Sequence, residues 1–208
     1  MTSLLELPQP FPIRAHKFDL NNVQDVTPVE GGFIQTIQRA QPFWSAYYES
    51  APLRGDRYNS MVAFLDGLEG SSGSFLAYDP RRPMPYAYRH LPIGSTPWGN
   101  DPDVVAGSFT SSTLVFNFDS PITLTKGDYV SFIYGTGWRL FRIRETVTGN
   151  APTVKVSPRP PDFNSSIDCR LVRACCEMKM IGKPEWDDAV DTLPTVKFKA
   201  SQFIAKSV

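Results

Sequence analysis

Proline is the residue that most constrains how this chain can fold. Nineteen of the 208 residues are proline, which is about 9% against the roughly 5% that is typical of proteins. Six of these prolines lie within residues 79–103. Because proline lacks an amide donor and clashes with helical geometry, this density excludes an internal helix and most central strands there. A loop this long is unusual inside a compact domain, so we expect it to pack against a partner.

The N-terminal residues 1–28 carry four more prolines and show no sustained hydrophobic period. They indicate an extended arm that contains one short strand over residues 15–20, and such an arm can become ordered when it binds a neighbour. Residues 29–183 are predicted to be the β-rich core domain. Residues 184–208 are predicted to be a C-terminal extension, because Gly182-Lys183-Pro184 is expected to end the preceding strand.

The core domain is dominated by segments in which apolar and polar residues alternate. One such segment contains Leu114, Phe116 and Phe118, and the clearest runs from Cys169 to Met180. Phe43–Ser50 is a further predicted strand, because it is rich in aromatic residues that suit a half-buried pleated surface. Alternation with a period of two is typical of half-buried strands. Strands that recur at short spacing with turn residues between them predict a mainly β, α+β fold. We expect an antiparallel β-sandwich or barrel-like core with long proline-rich loops.

One short amphipathic helix is predicted near residues 56–69. Five apolar residues follow one another at helical spacing, namely Tyr58, Met61, Val62, Leu65 and Leu68. Asp56 is predicted to be the N-cap, and Gly67 and Gly70 are suited to a left-handed C-terminal cap.

The balance of charge excludes several classes of partner. Lys and Arg total 21, Asp and Glu total 21, and the formal net charge is therefore zero. A nucleic-acid-binding protein that neutralises phosphates needs a basic excess, and so does a polybasic membrane anchor. We therefore expect no nucleic acid and no membrane among its partners. The first residues show neither a basic nor an apolar signal region, which predicts synthesis in the cytoplasm.

Residues that could act as catalytic groups or metal ligands do not occur at the spacings that such sites require. Cys169, Cys175 and Cys176 are too few and too close for a disulfide framework, and they are predicted to be buried, reduced thiols. The only histidines, His16 and His90, stand in no metal-ligand or nucleophile motif. We therefore predict no catalytic residue, no metal site, no cofactor and no enzymatic activity.

The proline-rich loop contains aromatic and arginine residues of the kind that are common at protein interfaces. These candidate interface residues are Tyr86, Tyr88, Arg89 and Trp98. Aromatic and arginine side chains are enriched at protein interfaces. Two interpretations stay open for the aromatic members: they contact a protein or a sugar, or they cover the domain's own core.

A series of short motifs resembles the tail proteins of long-tailed bacteriophages, and it covers about residues 29–182. In order along the chain, the motifs are Phe43-Trp44, Ala51-Pro52-Leu53, Leu68-Glu69-Gly70, Gly73-Ser74-Phe75-Leu76, Asp79-Pro80, Leu124–Val130 and Val156–Pro160. The predicted helix lies between the second and third motifs, and the order of the series carries the resemblance. The predicted arm and the residues after Pro184 lie outside it.

This resemblance implies a structural component of the phage tail tip or baseplate, similar to distal tail proteins. Such proteins form rings or adaptors between the tail tube and the distal tail proteins, and they have no enzymatic site. The implied location is the virion tail, and the implied partners are further copies of the chain and neighbouring tail proteins. The alternative is a carbohydrate-binding β-sandwich module for host-surface recognition, with Tyr86, Tyr88 and Trp98 as stacking platforms.

Overall fold

The fold is mainly β, as predicted, with one α-helix. The computed structural model describes residues 4–29, 31–92, 97, 105–110, 113–118, 120–134, 137–160, 166–187 and 193–203. The strands are β1 (Leu5–Glu6), β2 (Ile13–Asn21), β3 (Gln24–Val29), β4 (Phe33–Gln38), β5 (Phe43–Ser50), β6 (Ser74–Tyr78), β7 (Val105–Thr110), β8 (Thr113–Phe116), β9 (Ile122–Leu124), β10 (Tyr129–Tyr134), β11 (Gly137–Ile143), β12 (Val147–Gly149), β13 (Thr153–Ser157), β14 (Ser166–Arg170), β15 (Cys175–Asp187) and β16 (Thr195–Gln202). The helix α1 covers Asp56–Gly67, and a single turn of 3-10 helix covers Tyr86–Tyr88.

The chain forms two compact units, neither of which is continuous in sequence. Unit 1 comprises Met1–Phe11, Ser74–Met178 and Phe203–Val208, whereas unit 2 comprises Pro12–Gly73 and Lys179–Gln202. The predicted boundaries after residues 28 and 183 do not coincide with this division. The reason is that the predicted arm supplies β2 and the predicted C-terminal extension supplies β16, and both strands pair with β5.

In unit 2, the strand order is β15–β16–β5–β2. Both neighbours of β5 run antiparallel to it, and every second residue of β5 is buried, beginning with Trp44. Ser50 is the one polar member of this buried set, and its hydroxyl accepts a hydrogen bond from the Val196 amide at 3.0 Å. The aromatic residues of this segment predicted the strand with its correct bounds. The alternation appears in the burial of β5, because successive side chains of a strand point to opposite faces.

The helix α1 begins at the predicted residue and packs its apolar face against the sheet of unit 2. Met61, Phe64 and Leu65 are buried, and the ring of Phe64 lies 6.5 Å from that of Phe198. The prediction that Asp56 is the N-cap is wrong. Gly55 occupies that position without a side-chain cap, and Asp56 is the first helical residue, where its charge is favourable to the helix dipole.

A close backbone contact follows the helix at Gly73. The Gly73 amide donates a hydrogen bond of 2.8 Å to the carbonyl oxygen of Leu68. A Cβ atom at position 73 would lie 2.7 Å from that oxygen, so the turn that leads into β6 requires glycine.

In unit 1, six strands form a closed antiparallel barrel in the order β10–β11–β13–β8–β7–β14. The pairing of β10 with β14 closes it, with Ser131 opposite Arg170 and Phe132 opposite Cys169. Of the two predicted forms of the core, the sandwich and the barrel, unit 1 therefore has the barrel. Closure satisfies the backbone hydrogen bonds that an open sheet leaves at its edges.

The described buried side chains of the barrel come from alternate positions of β8, β9, β10, β11 and β13, and from Cys169 and Leu171. The buried cluster consists of Leu114, Phe116, Ile122, Leu124, Val130, Phe132, Phe141, Ile143, Val154, Val156, Cys169 and Leu171. Phe132 and Phe141 stack with their ring centroids 4.5 Å apart. Beside the barrel, β1 pairs in parallel with β6, and the Arg170 guanidinium donates to the Glu6 carboxylate at 3.1 Å.

The segment predicted to be one strand from Cys169 to Met180 is two strands. The turn between β14 and β15 includes Arg173, which has a φ of +50°. The apolar alternation continues through this turn because Val172 and Ala174 are also buried, so the sequence pattern carried no sign of the break. The prediction that Gly182-Lys183-Pro184 ends the strand is also wrong, since β15 continues to Asp187.

All three cysteines are buried thiols outside any disulfide, as predicted. Burial raises the pKa of the Cys175 thiol to about 11 and raises that of Cys176 well above its ordinary value. The thiolate is the reactive form, so a buried thiol that stays protonated reacts slowly.

We predict that the folded chain resists alkylation by iodoacetamide at pH 8, whereas the urea-unfolded chain reacts at all three cysteines. The raised pKa of Cys175 stabilises the folded state fully below the unfolded pKa of about 9, and this contribution is lost as the pH rises to about 11. Mass spectrometry after timed alkylation measures the reaction. Rapid labelling of Cys175 in the folded chain would contradict this description of the core.

The substitution Phe132→Ala should lower the free energy of unfolding of unit 1 by about 3–5 kcal/mol, because it leaves a cavity in the barrel. Its neighbour Ile133 is 51% exposed, so Ile133→Ala should change that free energy by less than about 0.5 kcal/mol. Urea denaturation followed by tryptophan fluorescence compares the two variants. Equal effects would show that the barrel interior is not the stabilising core.

Candidate functional site

The described part of the proline-rich loop is held against the barrel by a buried carboxylate. Asp128, just before β10, accepts hydrogen bonds from the backbone amides of Tyr86 at 2.9 Å and Thr125 at 2.7 Å. The two amides bind different oxygens of the carboxylate. A single side chain therefore joins the 3-10 turn to the turn that precedes β10.

Asp128 is held in this position at an electrostatic cost. Burial raises the pKa of its carboxyl above the ordinary value, and this effect outweighs the two amide hydrogen bonds and the charge of Arg82, which lower it. Hydrogen bonds from backbone amides favour the ionised form that accepts them.

Two further hydrogen bonds fix the same loop. The Arg82 guanidinium donates to the carbonyl oxygen of Gly127 at 3.1 Å, and the Thr123 amide donates to the Tyr88 hydroxyl at 2.8 Å. Gly127 has a φ of +97°, which favours glycine in this turn. The loop is therefore ordered by bonds to residues about 35–45 positions away in sequence.

A cleft of about 370 Å³ lies between the loop and the turn before β10. Four exposed cationic side chains line it, namely Arg81, Arg82, Arg89 and Lys126, and we call it the arginine cleft. Asp128 is its one acidic lining residue. Within the described ranges, no carboxylate forms an ion pair with the side chain of Arg81, Arg89 or Lys126, and the four cations outnumber the one acidic lining residue, so the cleft has an excess of positive charge.

Aromatic rings orient two of these guanidinium groups. Arg89 lies over the ring of Tyr86 at 4.1 Å from its centroid, and Arg82 lies 5.8 Å from the centroid of Tyr129. A guanidinium that stacks on a ring keeps its N–H edges free for hydrogen bonds in its own plane. This arrangement suits a carboxylate or phosphate, which can accept two parallel hydrogen bonds from one guanidinium.

The structure brings together two of the four predicted interface residues. Tyr86 and Arg89 are exposed and in contact at the arginine cleft. Tyr88 is half-buried and packs against the barrel core, which corresponds to the alternative interpretation as a core-covering residue. Trp98 lies outside the described residues. No sequence pattern gave Lys126 or Asp128 a role at a site, although both lie in the Leu124–Val130 motif, because their partners in the cleft are distant in sequence.

A second surface is the hairpin of β3 and β4, which forms a two-stranded sheet of its own. Its strands pair antiparallel over six residue pairs, and the side chain of Arg39 forms an ion pair with Asp25 at its base. Most of β3 falls in the predicted arm, because residues 1–28 contain four prolines and show no sustained hydrophobic period.

Apolar side chains of this hairpin are exposed on both faces. Phe33 is 75% exposed, Ile34 69% and Val26 60%, and Ile37 is exposed as well. Phe33 and Ile37 lie on one face and Ile34 and Val26 on the other, since successive residues of a strand alternate. Large apolar side chains that are exposed together on one hairpin are typical of an interaction site.

The described residues contain no group of three or more His, Cys, Asp or Glu side chains that could hold a metal ion. In that same part of the chain, the longest helix has 12 residues, which is too short to cross a bilayer.

The sequence matches no protein-family model, and no curated protein sequence matches it.

The substitution Asp128→Asn should loosen the proline-rich loop, because the amide nitrogen of Asn cannot accept one of the two backbone hydrogen bonds. We expect hydrogen exchange at the Tyr86 or Thr125 amide to accelerate about tenfold or more, which corresponds to the loss of a buried hydrogen bond worth about 1–3 kcal/mol. Asp187→Asn makes the same chemical change at an exposed position and is the control. Unchanged exchange at both amides in the Asp128 variant would contradict the assigned role.

Proposed function

We propose that this protein is a structural component of a bacteriophage tail tip or baseplate, where it forms a ring or adaptor between the tail tube and the distal tail proteins. The order of motifs that resembles distal tail proteins supports this proposal. The observation that carries it is the β3–β4 hairpin, which has exposed apolar residues on both faces and whose strands pair only with each other among the described residues. In this proposal, the protein is located in the virion tail.

The hairpin has the features of a contact that forms during assembly. Exposed edges of a two-stranded sheet can accept a further strand from a neighbour. Burial of four large apolar side chains at such a contact is favourable, at roughly 25 cal/mol per Å² of apolar surface removed from water. A subunit that contacts a neighbour through two different surfaces forms a ring if the rotation closes.

The formal net charge of zero is consistent with such an assembly. Identical copies without net charge do not repel one another strongly when they are brought together. Association of this kind therefore depends on the local placement of charged and apolar residues.

The carbohydrate-binding alternative stays a prediction. It relied on Tyr86, Tyr88 and Trp98 as stacking platforms, and in the structure Arg89 already covers one face of Tyr86 while Tyr88 packs against the barrel core. Calorimetric titration with host surface polysaccharide tests this alternative. Saturable heat that is lost in Tyr86→Ala would favour it over the structural role.

Mass spectrometry of purified phage particles tests the location. We expect the chain in the particle at several copies for each tail. Its absence from intact particles would overturn the proposed function.

The substitution Phe33→Asp should weaken self-association with little effect on the fold, because the side chain is mostly exposed. We expect the dissociation constant to rise by about 30-fold, which corresponds to the roughly 2 kcal/mol of an interface hot spot. Sedimentation velocity over a range of concentrations measures this change. Ile181→Asp is the control, because it places the same charge at another exposed apolar position. Equal association of both variants would show that the hairpin is not the contact.

A further inference from the structure

The arginine cleft supplies a binding site that the proposed function does not assign. Its four cations are exposed, two of the guanidinium groups are oriented by stacking on tyrosine rings, and its walls are joined by the hydrogen bonds of Asp128. A site of this kind is preorganised, so a ligand that enters it orders few side chains. The cationic side chains of the cleft therefore favour a partner surface that presents carboxylates.

The chain itself carries such a surface in unit 2, at the C-terminal end of α1. Asp66 and Glu69 are exposed there, and no basic residue lies in the last turn of the helix. In the part of the chain that the structure describes, neither carboxylate forms an ion pair. The C-terminal end of a helix is itself partly negative, so two acidic residues are unfavourable at this position within a single copy.

Aromatic side chains accompany these carboxylates. Tyr58 and Trp186 line the same groove as Asp66 and Glu69, and their rings contact edge to face with centroids 5.5 Å apart. An arginine side chain that approaches this groove meets carboxylates for its N–H edges and π faces for its cation. We call Tyr58, Asp66, Glu69 and Trp186 the acidic groove.

We propose that the arginine cleft of one copy binds the acidic groove of a second copy. The inference rests on the proposed function, since it names the second contact of the same assembly. The basic surface belongs to unit 1 and the acidic surface to unit 2, so the contact joins two different surfaces and runs head to tail. Contacts of this kind form closed rings or open filaments, unlike the self-complementary contacts of a twofold dimer.

The zero net charge of the chain supports a second copy of the chain as the partner that binds the arginine cleft. The cleft has an excess of positive charge, yet the whole chain is neutral, so the compensating carboxylates lie elsewhere on the same molecule. Identical copies therefore carry both halves of a complementary pair. Electrostatic complementarity of this kind orients partners during their encounter and makes association sensitive to salt.

Charge reversal on the full-length chain tests the proposal. The cleft variant carries Arg81→Glu and Arg89→Glu, and the groove variant carries Asp66→Arg and Glu69→Arg. Each variant alone should associate at least about tenfold more weakly than the wild type at low salt, as sedimentation velocity measures. The control, Arg144→Glu with Lys155→Glu, makes the same change in net charge as the cleft variant, at two exposed positions of unit 1, and should associate like the wild type.

An equimolar mixture of the cleft and groove variants gives the decisive result. The native cleft of the groove variant faces the native groove of the cleft variant, and the remaining contact has both charges reversed, so association should recover. Carbodiimide treatment of wild-type copies with different nitrogen isotopes should link Lys126 of one copy to Asp66 or Glu69 of the other.

Three outcomes would overturn the proposal. The first is a mixture no better associated than its components, and the second is wild-type association that neither charge reversal nor salt weakens. The third is saturable binding of polyglutamate or an acidic oligosaccharide in the cleft while self-association is unchanged. If the protein is found in phage particles and any of these results is obtained, the proposed function stands and only this contact is wrong.

Discussion

Closure of the barrel is the constraint on which the rest of unit 1 depends. The pairing of β10 with β14 places Ser131 opposite Arg170, and the Ser131 hydroxyl accepts a hydrogen bond from the Cys175 amide at 3.0 Å. Strand β10 therefore connects the barrel to the start of β15. The same strand begins directly after Asp128, so the carboxylate that orders the proline-rich loop is placed by a barrel strand.

Arg170 shows how the buried polar groups near this closure are satisfied. Its guanidinium lies over the ring of Trp138 at 5.1 Å, donates to Glu6, and lies 3.5 Å from the Cys175 sulfur. A buried cation is costly unless it is paired and hydrogen-bonded, and here β1 supplies the carboxylate. The N-terminal strand is consequently part of the electrostatics of unit 1.

The hairpin and the two charged surfaces differ in what they leave exposed. The β3–β4 hairpin exposes apolar residues on both faces, which leaves hydrophobic surface in water. The arginine cleft and the acidic groove instead separate charges of opposite sign between the two units. Both features are unfavourable in the single chain, which is why we propose that they are assembly surfaces.

Much of the fold could be predicted from segments with a regular hydrophobic period or a high aromatic content. Helix α1 was predicted closely because it buries one face, and burial imposes the helical period on the sequence. Strand β5 was predicted from its aromatic residues, which favour a half-buried pleated surface. The turn between β14 and β15 was missed because the turn residues are themselves buried. Tyr86 and Arg89 were identified by composition, whereas Asp128 was not, because its bond to Tyr86 spans 42 residues.

The amino-acid sequence by itself determined the mainly β class, the neutral charge, the reduced thiols and the position of the helix, because these follow from composition and from periods within one element. Only the tertiary structure decided the closed barrel, the exposure of the hairpin and the meeting of Lys126 with Arg81, Arg82 and Arg89 in one cleft. These features depend on which distant strands become neighbours. That choice is made by the packing of the whole core, and no local pattern of residues encodes it.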